Sequence, residues 1–258
     1  MAVTGLRRHP PAEPSPGLDW YAGDARDPAC LDGLLGQGFD DILITLTPDE
    51  RSDAGYERGY IEPCQQLLAA LARTGQRPRR LLFVSSTSVY AQDKGEWVDE
   101  DSPALPVNFN GRRLLEAEQL LMASGQAVTR VRFSGIYGPG RMRLLEQLRS
   151  GRARVTDAFT NRIHAEDCAG FLAHLIAIDR AGQPLADLYL ASDSAPVSSR
   201  TLMGWLAQTL GLPKPAEDPN HNPGSAHRRC SNRRMLDTGY CLQYPDYRAG
   251  YGALLASC

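Results

Sequence analysis

The sequence predicts an α/β protein built around a mostly parallel sheet, and two features of its apolar pattern carry this prediction. The apolar runs at residues 42–46 and 81–84 are continuous rather than alternating, which is typical of parallel strands covered on both faces. The longer segment between them, residues 54–73, carries apolar residues at helical spacing. Strands that alternate with helices build βαβ units, and ligands then bind at the carboxyl ends of the strands.

The other elements continue this alternation in order along the chain. We predict a first strand at residues 2–6, a proline-rich loop, and a second short strand at 18–21. Asp27-Pro28 opens a helix to Leu35 because proline is well placed near a helix start. Ser198 or Ser199 caps a helix at 200–210. The remaining predictions are strands at 127–133 and 188–190, helices at 112–124, 142–148 and 164–177, and one or two short helices within 232–255.

Composition restricts the class of partner. The chain has 258 residues, 42% of them apolar and 22% charged, and its net charge of −2 supplies no basic field for nucleic acid or an anionic membrane. No apolar run approaches the roughly 20 residues that span a bilayer. We therefore expect a cytoplasmic protein with a small-molecule substrate, no nucleic acid and no membrane. Its six cysteines form no C-x-x-C pair, so we expect free thiols and no metal site.

A cluster of hydroxyl groups follows the strand predicted at 81–84. The run S-S-T-S-V-Y occupies residues 85–90, at the carboxyl end of a buried strand where ligands bind. Such hydroxyls can hydrogen-bond a carbonyl or hydroxyl substrate. The alternative, slightly favoured from this segment alone, is a set of turn hydroxyls that satisfy the backbone where the strand ends.

Four motifs in order resemble the extended short-chain dehydrogenase/reductase family. They are S-S-x-x-V-Y at 85–90, Y-G-P-G-R at 137–141, N-R-I-H-A-E-D at 161–167, and a terminal segment at 237–247. The chain is similar, from residue 2 to about 255, to the atypical members related to nucleoside-diphosphate-sugar epimerases and NAD-dependent epimerases/dehydratases.

The resemblance implies a Rossmann-like doubly wound parallel sheet with a small C-terminal substrate lobe. The dinucleotide-binding core would comprise residues 1–134 and part of 160–195. The substrate lobe would comprise residues 135–160 and 195–258.

Catalysis in that family needs a Ser or Thr that orients the reacting oxygen, a Tyr that moves the proton, and a Lys that lowers the pKa of the Tyr and holds the nicotinamide ribose. By position Ser86 matches the Ser/Thr, whereas the window for Tyr-x-x-x-Lys falls at 108–114 and holds no Tyr. Arg113, or Arg112 in the next register, would hold the ribose, but arginine does not give up its proton. Tyr90 and Tyr137 lie on neighbouring loops and are expected to be packing residues. The three registers pair Phe109 with Arg113, Asn108 with Arg112, and Asn110 with Leu114.

A second departure from the family lies at the start of the chain. The family begins with a strand, a glycine loop and a helix, whereas this chain begins at what matches the second strand. The first βα unit is therefore missing, and our hypothesis is that the protein starts about 25–30 residues upstream, one such unit. The rival is a truncated, inactive form. The glycine-containing segment 135–140 is predicted to be a turn beside the ligand cleft and no phosphate loop.

Two adjacent arginines, Arg7 and Arg8, follow the first strand, where the family meets the adenosine ribose. Arginine there favours the 2′-phosphate of NADP over NAD, although both could be solvated surface residues. Asp24 resembles the residue that meets the adenine edge, or it caps the next helix. The resemblance adds further cofactor positions at Thr45, Leu46, Thr47, Ser85 and Phe133.

Substrate contacts are expected from the lobe. Thr87, Arg141 and Arg162 would bind an anionic compound such as a nucleotide sugar. His164 is expected to be structural.

The sequence thus predicts an NAD(P)-binding protein, similar to epimerases/dehydratases or reductases, that acts on a nucleotide sugar or a related hydroxy/keto compound. The alternatives are a non-catalytic NADP-binding sensor and the truncated inactive form. We also expect a homodimer that pairs through the two long helices near Gln65 and Glu116.

Overall fold

The structure, a computed structural model, describes residues 2–13, 16–218 and 227–256. It confirms an α/β protein with parallel strand pairing, as the alternating pattern predicts. Among the described residues, no helix has the length and apolarity needed to cross a bilayer. Five of the cysteines are free thiols, and Cys258 lies outside the described residues.

The strands, in chain order, are β1 (Thr4–Arg7), β2 (Asp19–Ala22), β3 (Asp41–Ile44), β4 (Arg80–Ser86), β5 (Glu96–Val98), β6 (Val128–Phe133), β7 (Gly135–Tyr137), β8 (Arg154–Val155), β9 (Phe159–Thr160), β10 (Arg162–His164), β11 (Leu188–Ala191), β12 (Val197–Ser198), β13 (Ala216–Glu217) and β14 (Arg228–Cys230). The helices are α1 (Pro28–Leu35), α2 (Asp53–Tyr56), α3 (Glu62–Thr74), α4 (Phe109–Met122), α5 (Arg143–Arg149), α6 (Ala165–Arg180), α7 (Ser199–Thr209), α8 (Arg233–Asp237) and α9 (Tyr247–Ala256).

The main sheet has four strands in the order β11-β6-β4-β3. Strand β3 pairs with β4 in parallel, and β6 pairs with β11 in parallel. The interior of the sheet is apolar: Leu81, Leu82 and Phe83 of β4 are almost fully buried, which is the pattern of a parallel strand covered on both faces.

Strands β1 and β2 form a separate parallel pair. Among the described residues, β1 is bonded only to β2 and β3 only to β4. Leu43 in β3 is 41% exposed, although it belongs to an apolar run of the kind that is normally buried. The edges of β1 and β3 are therefore open in the described part of the chain.

The chain divides into two compact units. One comprises residues 1–83 and 108–128, and the other comprises 84–107 and 129–258. In the first, α1, α3 and α4 bury leucines such as Leu34, Leu71 and Leu121. In the second, aromatic residues Tyr137, Tyr247 and Tyr251 join the apolar side chains of α5 and α7 in one cluster.

The helix predicted at 54–73 contains a change of winding. A π-helical turn at Glu57–Ile61 joins α2 to α3, and Pro63 follows it at the start of α3. Proline has no backbone N–H and its ring crowds the preceding turn, so a wider turn before it lets the chain continue without a break.

The segment 135–140, predicted to be a turn, begins as a strand. Residues 135–137 form β7, which pairs in parallel with β10. The turn is confined to residues 138–140, where Gly140 has a φ of 74° that glycine adopts without strain. A three-residue strand is too short to show a period of its own, so only its partner reveals it.

Asp167, in the first turn of α6, holds the segment that leads to α9. Its buried carboxylate accepts hydrogen bonds from the backbone N–H of Gln243 (2.7 Å) and of Tyr244 (2.9 Å) and from the hydroxyl of Tyr240 (3.0 Å). Removing this carboxylate leaves two backbone amide groups and a tyrosine hydroxyl without it as their acceptor.

We predict that Asp167→Ala lowers the free energy of unfolding by about 3 kcal/mol, because two backbone amides and a tyrosine hydroxyl lose their buried acceptor. Urea titration measures the change. The matched control is Asp237→Ala, since Asp237 is exposed and lies 3.7 Å from Arg233, so its loss should cost under about 0.5 kcal/mol. Equal losses in the two variants would contradict this role of Asp167.

Candidate functional site

The hydroxyl cluster at 85–90 lies where β4 ends. Ser86 Oγ accepts a hydrogen bond from the backbone N–H of Ser88 (3.1 Å) and caps a short 3₁₀ turn, Thr87–Val89. The hydroxyl therefore satisfies the turn, as the alternative interpretation of this segment expects. It can still donate its own O–H to another acceptor, because an oxygen that accepts one bond keeps its proton.

Arg228, which no sequence motif marks, fixes the same loop. Its guanidinium is largely buried and donates to the carbonyl oxygen of Thr87 (2.7 Å). Buried polar atoms of Arg228 (Nε), Ser88 (Oγ) and Gln92 (Oε1) have no hydrogen-bond partner among the described residues. Arg228 thus holds this loop, and the buried polar atoms that have no partner among the described residues are available to a polar ligand.

Arg113 lies on α4 within a network of carboxylates. Its guanidinium donates to Asp53 (2.7 and 3.0 Å), Glu116 (3.0 Å) and Glu57 (3.2 Å). These partners raise the pKa of the guanidinium further. Phe109, one turn earlier, packs edge-on against Tyr56 with ring centroids 5.4 Å apart. The assignment of Arg113 to a ribose stays a prediction, and its charge is balanced within this unit.

The arginines predicted to bind the adenosine lie at the end of β1 and just after it, close to the segment that follows β3. Arg8, after β1, forms an ion pair with Asp49, which follows β3. The side chain of Arg7 is exposed and has no hydrogen bond or ion pair with the described residues, while its backbone carbonyl accepts from the N–H of Gly23 (3.0 Å). The ion pair brings together the segments that follow these two strands, although β1 pairs with β2 and β3 pairs with β4.

Asp24 is engaged locally. It accepts three hydrogen bonds from Arg26, one from the backbone N–H (2.9 Å) and two from the guanidinium (3.1 and 2.7 Å), and these lower the pKa of the carboxyl. The cap of α1 is Asp27, which accepts from the backbone N–H of Ala29 (3.0 Å). The alternative that made Asp24 the helix cap was therefore wrong.

The other predicted cofactor residues differ in exposure. Thr45 and Thr47 are exposed after β3, Leu46 is half-buried, and Ser85 and Phe133 are buried. Their role toward a cofactor stays a prediction.

Two of the three predicted substrate residues, Arg162 and Arg141, have different surroundings, and the third, Thr87, is buried in the turn after β4. Arg141 is exposed at the turn after β7, whereas Arg162 lies on β10 with its Nε buried. The register places Arg162 opposite Gly135 and His164 opposite Tyr137. His164 is buried and caps α6, where its Nδ1 accepts from the backbone N–H of Glu166 (3.3 Å).

Asp193, another residue that the sequence motifs do not include, is buried beside β10. Its backbone N–H donates to the carbonyl oxygen of Arg162 (2.7 Å), and its Oδ1 accepts from the N–H of Ala195 (3.1 Å). Its Oδ2 is buried without a hydrogen-bond partner among the described residues. Burial raises the pKa of this carboxyl to about 8, so it is mainly neutral at pH 7. No sequence signal marks it, because S-D-S before Ala-Pro resembles an ordinary loop.

Asp193 should make stability depend on pH. Its pKa rises from an ordinary 3.8 to about 8 on folding, so the folded protein binds one more proton between these values and the free energy of unfolding falls as pH rises through them. We predict that Asp193→Asn flattens this dependence and is more stable than the wild type above about pH 8. Urea titrations across this range measure it, with the exposed Asp93→Asn as control. Parallel curves for Asp193→Asn and the wild type would contradict the assignment.

Comparison with known proteins gives consistent results. The model of the NAD-dependent epimerase/dehydratase family matches residues 1–200. The protein YeeZ of Escherichia coli is 32% identical over 219 residues, which cover 84% of this chain and 75% of YeeZ.

Two solved structures extend the comparison. A structure from Methylobacillus flagellatus, assigned to the NAD-dependent epimerases/dehydratases, is 38% identical with a TM-score of 0.81 and covers 99% of this chain and 89% of that one. MoeE5 in complex with UDP-glucuronic acid and NAD, at 20% identity, shares the fold with a TM-score of 0.75 over 97% of this chain and 88% of its own. The chain therefore belongs to the NAD-dependent epimerase/dehydratase family.

Proposed function

We propose that this protein binds NAD(P) and acts as an epimerase/dehydratase or reductase on a nucleotide sugar or a related hydroxy/keto compound. The observation that carries the proposal is the ion pair of Arg8 with Asp49, which joins the segments that follow β1 and β3. In an open parallel sheet, ligands bind outside such carboxyl ends. MoeE5, which shares the fold, binds UDP-glucuronic acid and NAD, and this favours a related ligand pair.

The residues fit one part of a dinucleotide. The exposed cation of Arg7 suits a 2′-phosphate, and Thr45 and Thr47 present hydroxyls after β3. These positions support NADP over NAD. Such a cofactor supplies hydride transfer when bound, and the residues of this chain would position it.

Among the described residues, no loop matches the kind that binds the pyrophosphate of a dinucleotide. Helix α2, after β3, is capped by Ser52, whose Oγ accepts from the backbone N–H of Gly55. Helix α1 is capped by Asp27 and begins at Pro28. Neither follows a glycine-rich loop of the kind that admits a pyrophosphate. The open edges of β1 and β3 favour one further parallel strand between them, with its loop and helix, as the missing part of the cofactor site.

A non-catalytic NADP-binding sensor is the second candidate. It is favoured by the contacts of Phe109 and Arg113, since one packs against Tyr56 and the other is held by three carboxylates. Neither side chain can exchange a proton near neutral pH. The third candidate, a truncated inactive form, binds no cofactor.

We further propose a homodimer through α3 and α4, where Gln65 and Glu116 are exposed. The cytoplasm as its compartment stays a prediction.

Calorimetric titration with NADPH and NADH tests cofactor binding. We expect NADPH to bind more tightly, and Arg7→Ala to weaken NADPH about tenfold while NADH is unchanged, because only NADPH carries the 2′-phosphate. The exposed Arg77→Ala is the control. Equal affinity for the two cofactors would contradict the NADP preference.

No binding of either cofactor would reject cofactor binding by this 258-residue chain. The same titration on a chain extended by an N-terminal strand–loop–helix unit would then decide between the missing unit and the inactive form.

A turnover assay distinguishes an enzyme from a non-catalytic NADP-binding sensor. With saturating NADPH and a panel of nucleotide sugars and keto compounds, we expect Ser86→Ala to lower kcat by about 100-fold without changing the cofactor Kd, since its hydroxyl orients the reacting oxygen. The exposed Ser150→Ala is the control. NADPH binding without any turnover in the wild type would favour the sensor.

A further inference from the structure

Charged side chains lie at the ends of β1, β2 and β3. They are Arg7 at the end of β1, Arg8 after it, Asp24 and Arg26 after β2, and Asp49 after β3. Arg8 interacts electrostatically with Asp49, Asp24 and Arg26, so these four groups form one charge cluster. The strength with which this cluster attracts an anion depends on which of its arginines have a carboxylate bound to them.

The two aspartates of the charge cluster hold their arginines differently. Asp24 accepts three hydrogen bonds from Arg26, two of them from the guanidinium (2.7 and 3.1 Å). Asp49 accepts a single hydrogen bond, from Nη2 of Arg8. The other N–H groups of the Arg8 guanidinium have no partner among the described residues, and the side chains of Arg8 and Asp49 are 48% and 62% exposed. The pair Arg8–Asp49 is therefore the one that a ligand can open.

A phosphate is a stronger partner for Arg8 than this carboxylate. An exposed ion pair with one contact is weak, because solvent screens it and because ordering two long side chains costs entropy. A phosphate monoester carries more than one negative charge near neutral pH, and it can accept two parallel hydrogen bonds from one guanidinium. A phosphate at this position would thus displace Asp49 from Arg8, and its net affinity is what remains after the carboxylate has been displaced.

We propose that Asp49 determines how strongly this protein prefers NADP to NAD, because its carboxylate competes with the 2′-phosphate for Arg8. An adenosine ribose without that phosphate leaves the ion pair closed, so its binding does not depend on Asp49. The inference rests on the proposed function for placing the adenosine ribose beside Arg7 and Arg8. It adds a specificity-determining residue that acts against the preference which these arginines favour.

NMR titration of the isotope-labelled protein with adenosine 2′-monophosphate and adenosine 5′-monophosphate tests this role. The two nucleotides carry the same groups and differ only in the position of the phosphate. We expect Asp49→Asn to bind the 2′-monophosphate about fivefold more tightly than the wild type does, because the competing carboxylate is gone. The affinity for the 5′-monophosphate should stay the same in both proteins.

The neighbouring residue provides a matched control. Glu50 forms an ion pair with Arg58 through one contact of 3.2 Å, and these side chains are 62% and 46% exposed, nearly as in the pair Arg8–Asp49. Glu50→Gln removes the same charge one residue away and should leave both affinities unchanged.

A double-mutant cycle separates competition for Arg8 from simple repulsion of the phosphate. In an Arg8→Gln background, the substitution Asp49→Asn should no longer improve binding of the 2′-monophosphate, because the carboxylate acts only through Arg8. An undiminished gain in that background would overturn the proposal. All of these side chains are exposed, so we expect the variants to fold.

Equal affinity of the wild type and Asp49→Asn for the 2′-monophosphate would also overturn the proposal. So would an equal gain for both nucleotides, or no binding of the 2′-monophosphate to either protein. Because neither nucleotide contains a nicotinamide or a pyrophosphate, the result depends neither on turnover nor on a glycine-rich loop. The expected gain in a protein without turnover would reject the proposed enzyme and support this role of Asp49.

Discussion

Parallel strand pairing is the constraint on which the positions of the functional side chains depend. Parallel strands end at the same edge, so residues far apart in sequence meet there. Arg8, after β1, forms an ion pair with Asp49, after β3, although each of these strands pairs with a different neighbour. The same pairing, in a ladder of three residues, sets His164 beside Tyr137 and leaves the space of Gly135 to Arg162. A shift of one residue in that register would turn each of these side chains to the opposite face.

Arginines of this chain differ in their partners. Arg113 binds three carboxylates and Arg200 binds Asp157 and Glu217, so their charges are balanced by neighbouring side chains. Arg162 is the opposite case, because it lies deeper and is unpaired among the described residues. Paired and exposed charges contribute little to stability, whereas an unpaired and partly buried charge marks a candidate functional site.

Local patterns made most of the fold predictable, and tertiary contacts account for the rest. The long helices and the apolar strands of the main sheet carry their period within a few residues. Short strands such as β5 and β14 have no such signal, since each exists only through its distant partner. Burial explains why the sequence identified only part of the candidate site. Arg162 belongs to a motif, whereas Asp193 and Arg228 acquire their properties from buried surroundings that no local pattern records.

The proposed function depends above all on a dinucleotide binding at the carboxyl ends of β1 and β3. Amide hydrogen exchange with and without saturating NADPH tests this directly, because protection locates the bound molecule on the chain. We predict slower exchange at residues 7–9 and 45–49, the segments that Arg8 and Asp49 join. Unchanged exchange in both segments, with protection elsewhere or nowhere, would contradict it.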